Sequence, residues 1–281
     1  MKEDFEVSEG EYGPRVCFSH WSDEVAEFVE QNNVKEFAIQ GAGDNVEFLA
    51  QVPDLEWFAL RDFHIKDLSP VHHLHKLKFL SLTTNSKTKI DFSQFPFLED
   101  CGIIWKANSK SLFGCTTLRV LSLDGYKGHD TELFSTLVNL EKLGIYNSPI
   151  HNLTGLRKLN KLRDLHLANL RMLESLEGIE DLVGLEKLDI DTCRKVRSID
   201  QVAELANLRR FGLKNCGEIY TLGPMKNLKE LERFIFWETT IIQDGDLSVL
   251  MNLPKLESVA FQQRKHYSHN RAAFREAGIT A

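Results

Sequence analysis

The chain has 281 residues, 42% of them hydrophobic and 27% charged, the make-up of a folded, water-soluble protein. Its formal net charge of -7, from 34 Lys and Arg against 41 Asp and Glu, argues against broad phosphate-backbone binding, which needs a cationic face. No run approaches the roughly 20 apolar residues that span a bilayer, so neither nucleic acid nor membrane is expected as a partner.

The opening MKEDFEVSEGEYG lacks the apolar core of a signal peptide. Cys17, Cys101, Cys115, Cys193 and Cys216 form an odd set without CxxC spacing. That pattern fits small apolar packing groups in a reducing, cytoplasmic compartment. FEV from Phe5 and RVCF from Arg15 flank EGEYGP and predict a hairpin. Ser22 ahead of Asp23 and Glu24 marks a helix start, with Val25, Phe28 and Val29 as its apolar stripe. Residues 1–33 are thus expected to form an N-terminal cap.

From Val34 onward the chain repeats itself. LxxLxL occurs as LEKLGI from Leu140, LRDLHL from Leu162, LEKLDI from Leu185 and LRRFGL from Leu208. Looser copies start at Val34, Leu55, Leu77, Leu98, Leu118, Leu231 and Leu256, and the starts lie 20 to 25 residues apart. The fourth and sixth positions of each copy are two apart and face the same side of a strand. Ile150, Leu153, Leu156 and Leu159 recur every three residues before Leu162, a spacing suited to a 3-10 turn on the return path. One such unit cannot cover its own apolar side, but a stack can.

These residues resemble the leucine-rich-repeat family over 34–264, nearest the 22-residue class of a phosphatase regulatory subunit and bacterial internalins. The resemblance implies an α/β leucine-rich-repeat solenoid, a right-handed horseshoe. About eleven short parallel strands would line its concave face, with short helices, 3-10 turns and loops on the convex side. The family's ninth position is usually Asn or Cys, bonding the neighbouring turn's backbone. Asn85, Cys193 and Cys216 match it, whereas Phe63, Tyr126, Ser148, Leu170 and Thr239 do not. Residues 265–281 are expected to close the stack, with a short helix from Ser268 to Gly278 turning Ala273 and Phe274 inward.

Eleven strands about 4.8 Å apart would give a sheet on the order of 48 Å long, large enough for a protein interface. The third, fifth and seventh positions of each copy point away from the core. The fifth is mostly Ala, Ser or Gly, so backbone can be approached closely there. Around that low column stand Trp57, Phe79, Ile104, Trp105, Tyr146 and Trp237, the aromatic and apolar anchors a binding hot spot needs. The alternative is that these rings lie flat on neighbouring strands, or that Trp105 turns into the ascending loop. A charged group joins them: Asp124, His166, Asp189, Asp191 and Lys214, with Asp164, Lys187, Arg210 and Arg233 alongside. Its plainer reading is a solvated face.

Catalytic chemistry is not evident. His72, His73 and His75 alternate in direction in a return loop, and His266 and His269 lack a companion carboxylate or thiol, so no metal or other cofactor is expected. The Gly41–Asp44 turn lacks the spaced glycines of a dinucleotide loop. His166 with Asp189 and Asp191 lacks an obvious nucleophile. The expected function is therefore a non-enzymatic module, monomeric until it binds a protein partner on the concave face. By resemblance to bacterial proteins of this size, that module is an immunity protein neutralising a toxin. The alternatives are a regulatory or adaptor subunit of phosphatase type, and an enzyme centred on His166.

Overall fold

The computed structural model describes residues 5–41, 45–106 and 109–281, so most of the Gly41–Asp44 turn lies outside the described residues. The chain divides into two compact units, Met1–Leu123 and Asp124–Ala281.

In the first unit the strands follow chain order across the sheet: β1 (Phe5–Glu9), β2 (Pro14–Phe18), β3 (Glu36–Gln40), β4 (Trp57–Arg61), β5 (Phe79–Thr83), β6 (Asp100–Ile104) and β7 (Val120–Asp124). β1 and β2 are an antiparallel hairpin, and β2 then pairs parallel with β3. Each of β3 to β7 occupies the third to seventh positions of its repeat. Phe37, Phe58, Leu80 and Cys101 sit side by side in register and are fully buried. The ten-residue helix α1 (Asp23–Asn32) follows the hairpin; the Ser22 side chain accepts a hydrogen bond from the Val25 amide, and Val25 and Val29 are buried.

The second unit contains β8 (Lys142–Tyr146), β9 (Asp164–Ala168), β10 (Lys187–Asp191), β11 (Arg210–Lys214), β13 (Arg233–Trp237) and β15 (Ser258–Phe261) in sheet order. The two-residue strands β12 (Glu218–Ile219) and β14 (Ile241–Ile242) pair in a small separate sheet. Leu143, Leu165, Leu188, Phe211, Phe234 and Val259 form one inward row across the parallel strands. All eleven repeat strands are present, five in the first unit and six in the second. β1 and β2 join the sheet as two strands beyond them.

The return segments bear out the three-residue spacing. Ile150, Leu153, Leu156 and Leu159 are fully buried around a 3-10 turn at Thr154–Leu156. Burying each leucine contributes about 1.5–3 kcal/mol, and the stack supplies that burial from both neighbours. At the far end, the C-terminal helix is shorter than expected. The six-residue helix Arg271–Glu276 starts from Asn270, whose side chain accepts from the Ala273 amide. Phe274 is fully buried but Ala273 is only partly covered. Beyond that helix, Thr280 bridges to Ser258 on the edge of β15.

The ladder of ninth-position side chains differs from expectation. Asn85 is exposed; the neighbouring Ser86 hydroxyl takes the inward place and donates to the Lys66 carbonyl at 2.8 Å. Cys193 and Cys216 do sit in the ladder, the Cys216 thiol 3.3 Å from the Ile190 carbonyl. The next rung is Thr240 rather than Thr239: its hydroxyl donates to the Leu213 carbonyl at 2.9 Å and accepts from the Cys216 amide. Glu238, at φ 58°, holds the same left-handed place after its strand as Asn215, and the extra residue that shifts the rung by one is Thr239.

Two outcomes follow from this packing. Leu165→Ala is expected to cost about 2–5 kcal/mol, read from denaturant unfolding, because the rows above and below cannot collapse into the gap. Burial pushes the Cys193 and Cys216 thiols up to about 12, since the thiolate would lose its water. Neither is expected to react with iodoacetamide at pH 8 until the protein unfolds, a difference that mass spectrometry of native and urea-treated samples checks.

Candidate protein-binding surface

Each strand turns its third, fifth and seventh side chains away from the core. In the first unit the hairpin occupies much of that face. Arg15, Glu36, Trp57 and Phe79 stand in register on β2 to β5. Glu36 is fully buried despite its outward position, its carboxylate accepting from the Arg15 guanidinium at 2.7 and 2.8 Å and from the Tyr12 amide in the hairpin turn. A Cβ on Gly10 would fall 2.3 Å from that carboxylate, so only glycine lets the turn approach. The Arg15 guanidinium lies 4.0 Å from the centre of the Trp57 ring, which stacks on Phe79 at 4.3 Å and 7°. Trp57 and Phe79 therefore stack face to face across β4 and β5 with the hairpin arginine on the indole, a packed row rather than rings lying flat or standing as free anchors. Lys78, bonded to Glu56 at 2.6 Å, also lies 4.6 Å over the Tyr12 ring. Burial, with the Glu11 carboxylate beside it, pushes the Tyr12 phenol up to about 12.

Further along this unit, Ile104 stays half-exposed at its seventh position. Trp105 does not. It is 7% exposed, its ring 5.7 Å from Phe113, because the residue after the seventh position turns inward into the ascending loop. The fifth column here is low as expected: a Cβ on Gly102 would meet only ordinary contacts with Ser81 and Ser122.

The second unit has a different face. Tyr146 folds back over Gly144, where a Cβ would meet its ring and hydroxyl within 2.8 Å. The Tyr146 hydroxyl lies 3.2 Å from His166 Nδ1, the two rings edge-on at 5.2 Å. Asp189 leans over Gly212 in the same way. The two fifth-position glycines of this unit are thus covered by neighbours, which corrects the expectation of open backbone there. Lys187 bridges Asp164 at 3.4 Å and Asp189 at 3.3 Å. Partial burial lowers its pKa, but the two carboxylates more than offset that and leave it raised. Asp191 accepts from the Thr192 hydroxyl at 2.6 Å.

Trp237 remains half-exposed on β13, with the Arg271 guanidinium 5.5 Å from its ring centre. Arg271 is held there by donating to the Phe261 carbonyl. Tyr146 and Trp237 are four strand steps apart, roughly 19 Å. The candidate residues of this unit accordingly fall into two groups: Tyr146, His166 and Asp189 in one, and Trp237 beside Lys214 in the other.

A third feature escaped the reading of the sequence. The residue after each of β8, β9, β10 and β11 adopts a left-handed backbone: Asn147, Asn169, Thr192 and Asn215 at φ 52° to 55°. Their side chains link into a ladder, Asn169 donating to Asn147 at 2.5 Å and Asn147 to Asp124 at 2.6 Å. Asp124 is thereby engaged at the edge of the face. The recurrence of Asn or Gly just after the strands was the available signal, since these residues tolerate positive φ.

No protein-family model and no curated protein matches the chain. Solved structures do. An internalin (inlF) from Listeria monocytogenes is similar at 18% identity, covering 88% of this chain and 79% of that one, with a TM-score of 0.63. Internalin C2 (inlC2) from the same organism is similar at 17% identity over 76% of this chain and 84% of that one, with a TM-score of 0.51. The fold is a leucine-rich repeat. In this leucine-rich-repeat chain, no group of three or more His, Cys, Asp or Glu among the described residues is placed to hold a metal. No helix among them is long and apolar enough to cross a membrane.

Removing the hairpin's anchor should be costly. Arg15→Met leaves the Glu36 carboxylate buried without its cation and is expected to destabilise the chain by about 3 kcal/mol, measured by urea unfolding. An unchanged midpoint would show that the hairpin does not depend on this pair.

Proposed function

We propose that this chain is a non-enzymatic protein-binding module that receives a protein partner on the strand face of its second unit. The observation that carries this reading is the state of that face. Lys142, Arg210, Lys214 and Arg233 point out of the sheet, and none of their side chains has a hydrogen bond or ion pair among the described residues. Tyr146 and Trp237 stand on the same face, partly exposed. Aromatic anchors with charged groups left unengaged by the fold are what a specific interface uses for affinity and for steering.

His166 contributes through Tyr146, the one side-chain hydrogen bond of its ring among the described residues. A phenol–imidazole pair without a paired carboxylate or a nucleophile suits contact better than hydrolysis. Within the binding reading, the partner is a toxin that the chain neutralises by covering it, because the described residues are almost wholly committed to stacked turns and an outward face. A regulatory subunit of a cellular enzyme is the competing partner class.

The test is capture of the partner from the native host with a photo-reactive residue at position 214, followed by affinity measurement on the purified pair. Tyr146→Ala and Trp237→Ala are each expected to weaken binding by about 2 kcal/mol or more without altering the unfolding midpoint. Wild-type affinity in both variants would remove this face as the site.

A further inference from the structure

The third-position row of the second unit reads Lys142, Asp164, Lys187, Arg210, Arg233 in register from β8 to β13. Four of the five are cations. Lys187 is engaged by Asp164 and Asp189, so the row's only acid is already used. Arg210 and Arg233 stand directly opposite each other on neighbouring strands about 4.8 Å apart, an arrangement that repels. Neither has a carboxylate partner among the described residues. The arginines just before the row do: Arg209 is bound by Glu232, and Arg163 lies 3.9 Å from the Glu186 carboxylate. Lys142 and Arg210 line a groove of about 290 Å³ along this edge.

We infer that this edge is a docking site for an acidic segment of the protein partner, whose carboxylates are received by Lys142, Arg210 and Arg233. The inference rests on the protein-binding reading above and adds the chemistry of the occupant. Uncompensated like charges in register are a cost to the isolated chain, and an anion in the groove removes it. An arginine fork donates two parallel N–H bonds to the two oxygens of one carboxylate, which suits discrete side chains on a peptide. A continuous phosphate backbone fits worse, because Asp164 and Glu186 interrupt the cations of the groove and the whole chain is acidic.

The experiment uses the full chain with two probes of equal charge, N-terminally fluorescein-labelled and C-terminally amidated hexaglutamate and a fluorescein-labelled thymidine heptanucleotide with six phosphates, followed by anisotropy at about 20 mM salt. Hexaglutamate is expected to bind, and Arg210→Gln with Arg233→Gln to weaken it by tenfold or more, with circular dichroism confirming an unchanged fold. The same double variant without ligand is expected to melt about 1–2 °C higher at low salt, a gain abolished in 1 M NaCl. Equal or tighter binding of the oligonucleotide, no binding of hexaglutamate, or binding untouched by the double variant would each overturn the inference. A partner that cross-links at position 214 and depends on Trp237, yet binds the double variant normally, would leave the protein-binding reading standing and remove this one alone.

Discussion

The structure depends on apolar rows that no single repeat can bury. Leu143, Leu165 and Leu188 lie side by side at full burial only because each strand is laid parallel on the one before, in unbroken register. Once that register is set, strand alternation leaves no freedom to the rest. The fourth and sixth positions go in, and the third, fifth and seventh go out. The return turns obey the same demand with their own three-residue period, and the buried thiols and hydroxyls of Cys193, Cys216 and Thr240 bond carbonyls that the turns would otherwise leave bare.

Because every inward position is committed to the stack, the outward ones are free to vary, and the two units have used that freedom differently. The first folds its hairpin onto its own face and fixes it with a buried carboxylate, so arginine, indole and phenyl form a packed row. The second leaves Lys142, Arg210, Lys214 and Arg233 without partners among the described residues, and two aromatic residues partly in water. A face that the fold itself has satisfied offers a visitor little, whereas one with unspent charge offers a great deal. That contrast is the reason the interface is proposed on the second unit.

The fold was almost entirely legible in the sequence. Eleven copies of one pattern give eleven strands, and the same parity that buried Leu165 put His166 outside. The site was legible in part. Tyr146, His166, Asp189, Lys214 and Trp237 lie on the outward face as their positions required. Trp105 does not, because it falls one residue past the last outward position, where parity turns a side chain back into the core. Asn85 was read as a ladder rung because its type fitted, but Ser86 holds the buried place.

By itself the sequence determined the repeat length, the direction of every strand side chain and the list of residues available to a partner, since these follow from local spacing and the need to hide leucine. Only the tertiary structure decided which of those residues were already taken. The pairing of Arg15 with Glu36 and the meeting of Tyr146 with His166 join residues from different turns of the chain, and only there is it seen that Arg210 and Arg233 have no carboxylate partner among the described residues. A repeat pattern fixes which face a side chain leaves from. It says nothing of where a long, flexible one will come to rest, because that is settled by the charges and rings it meets on the neighbouring strands.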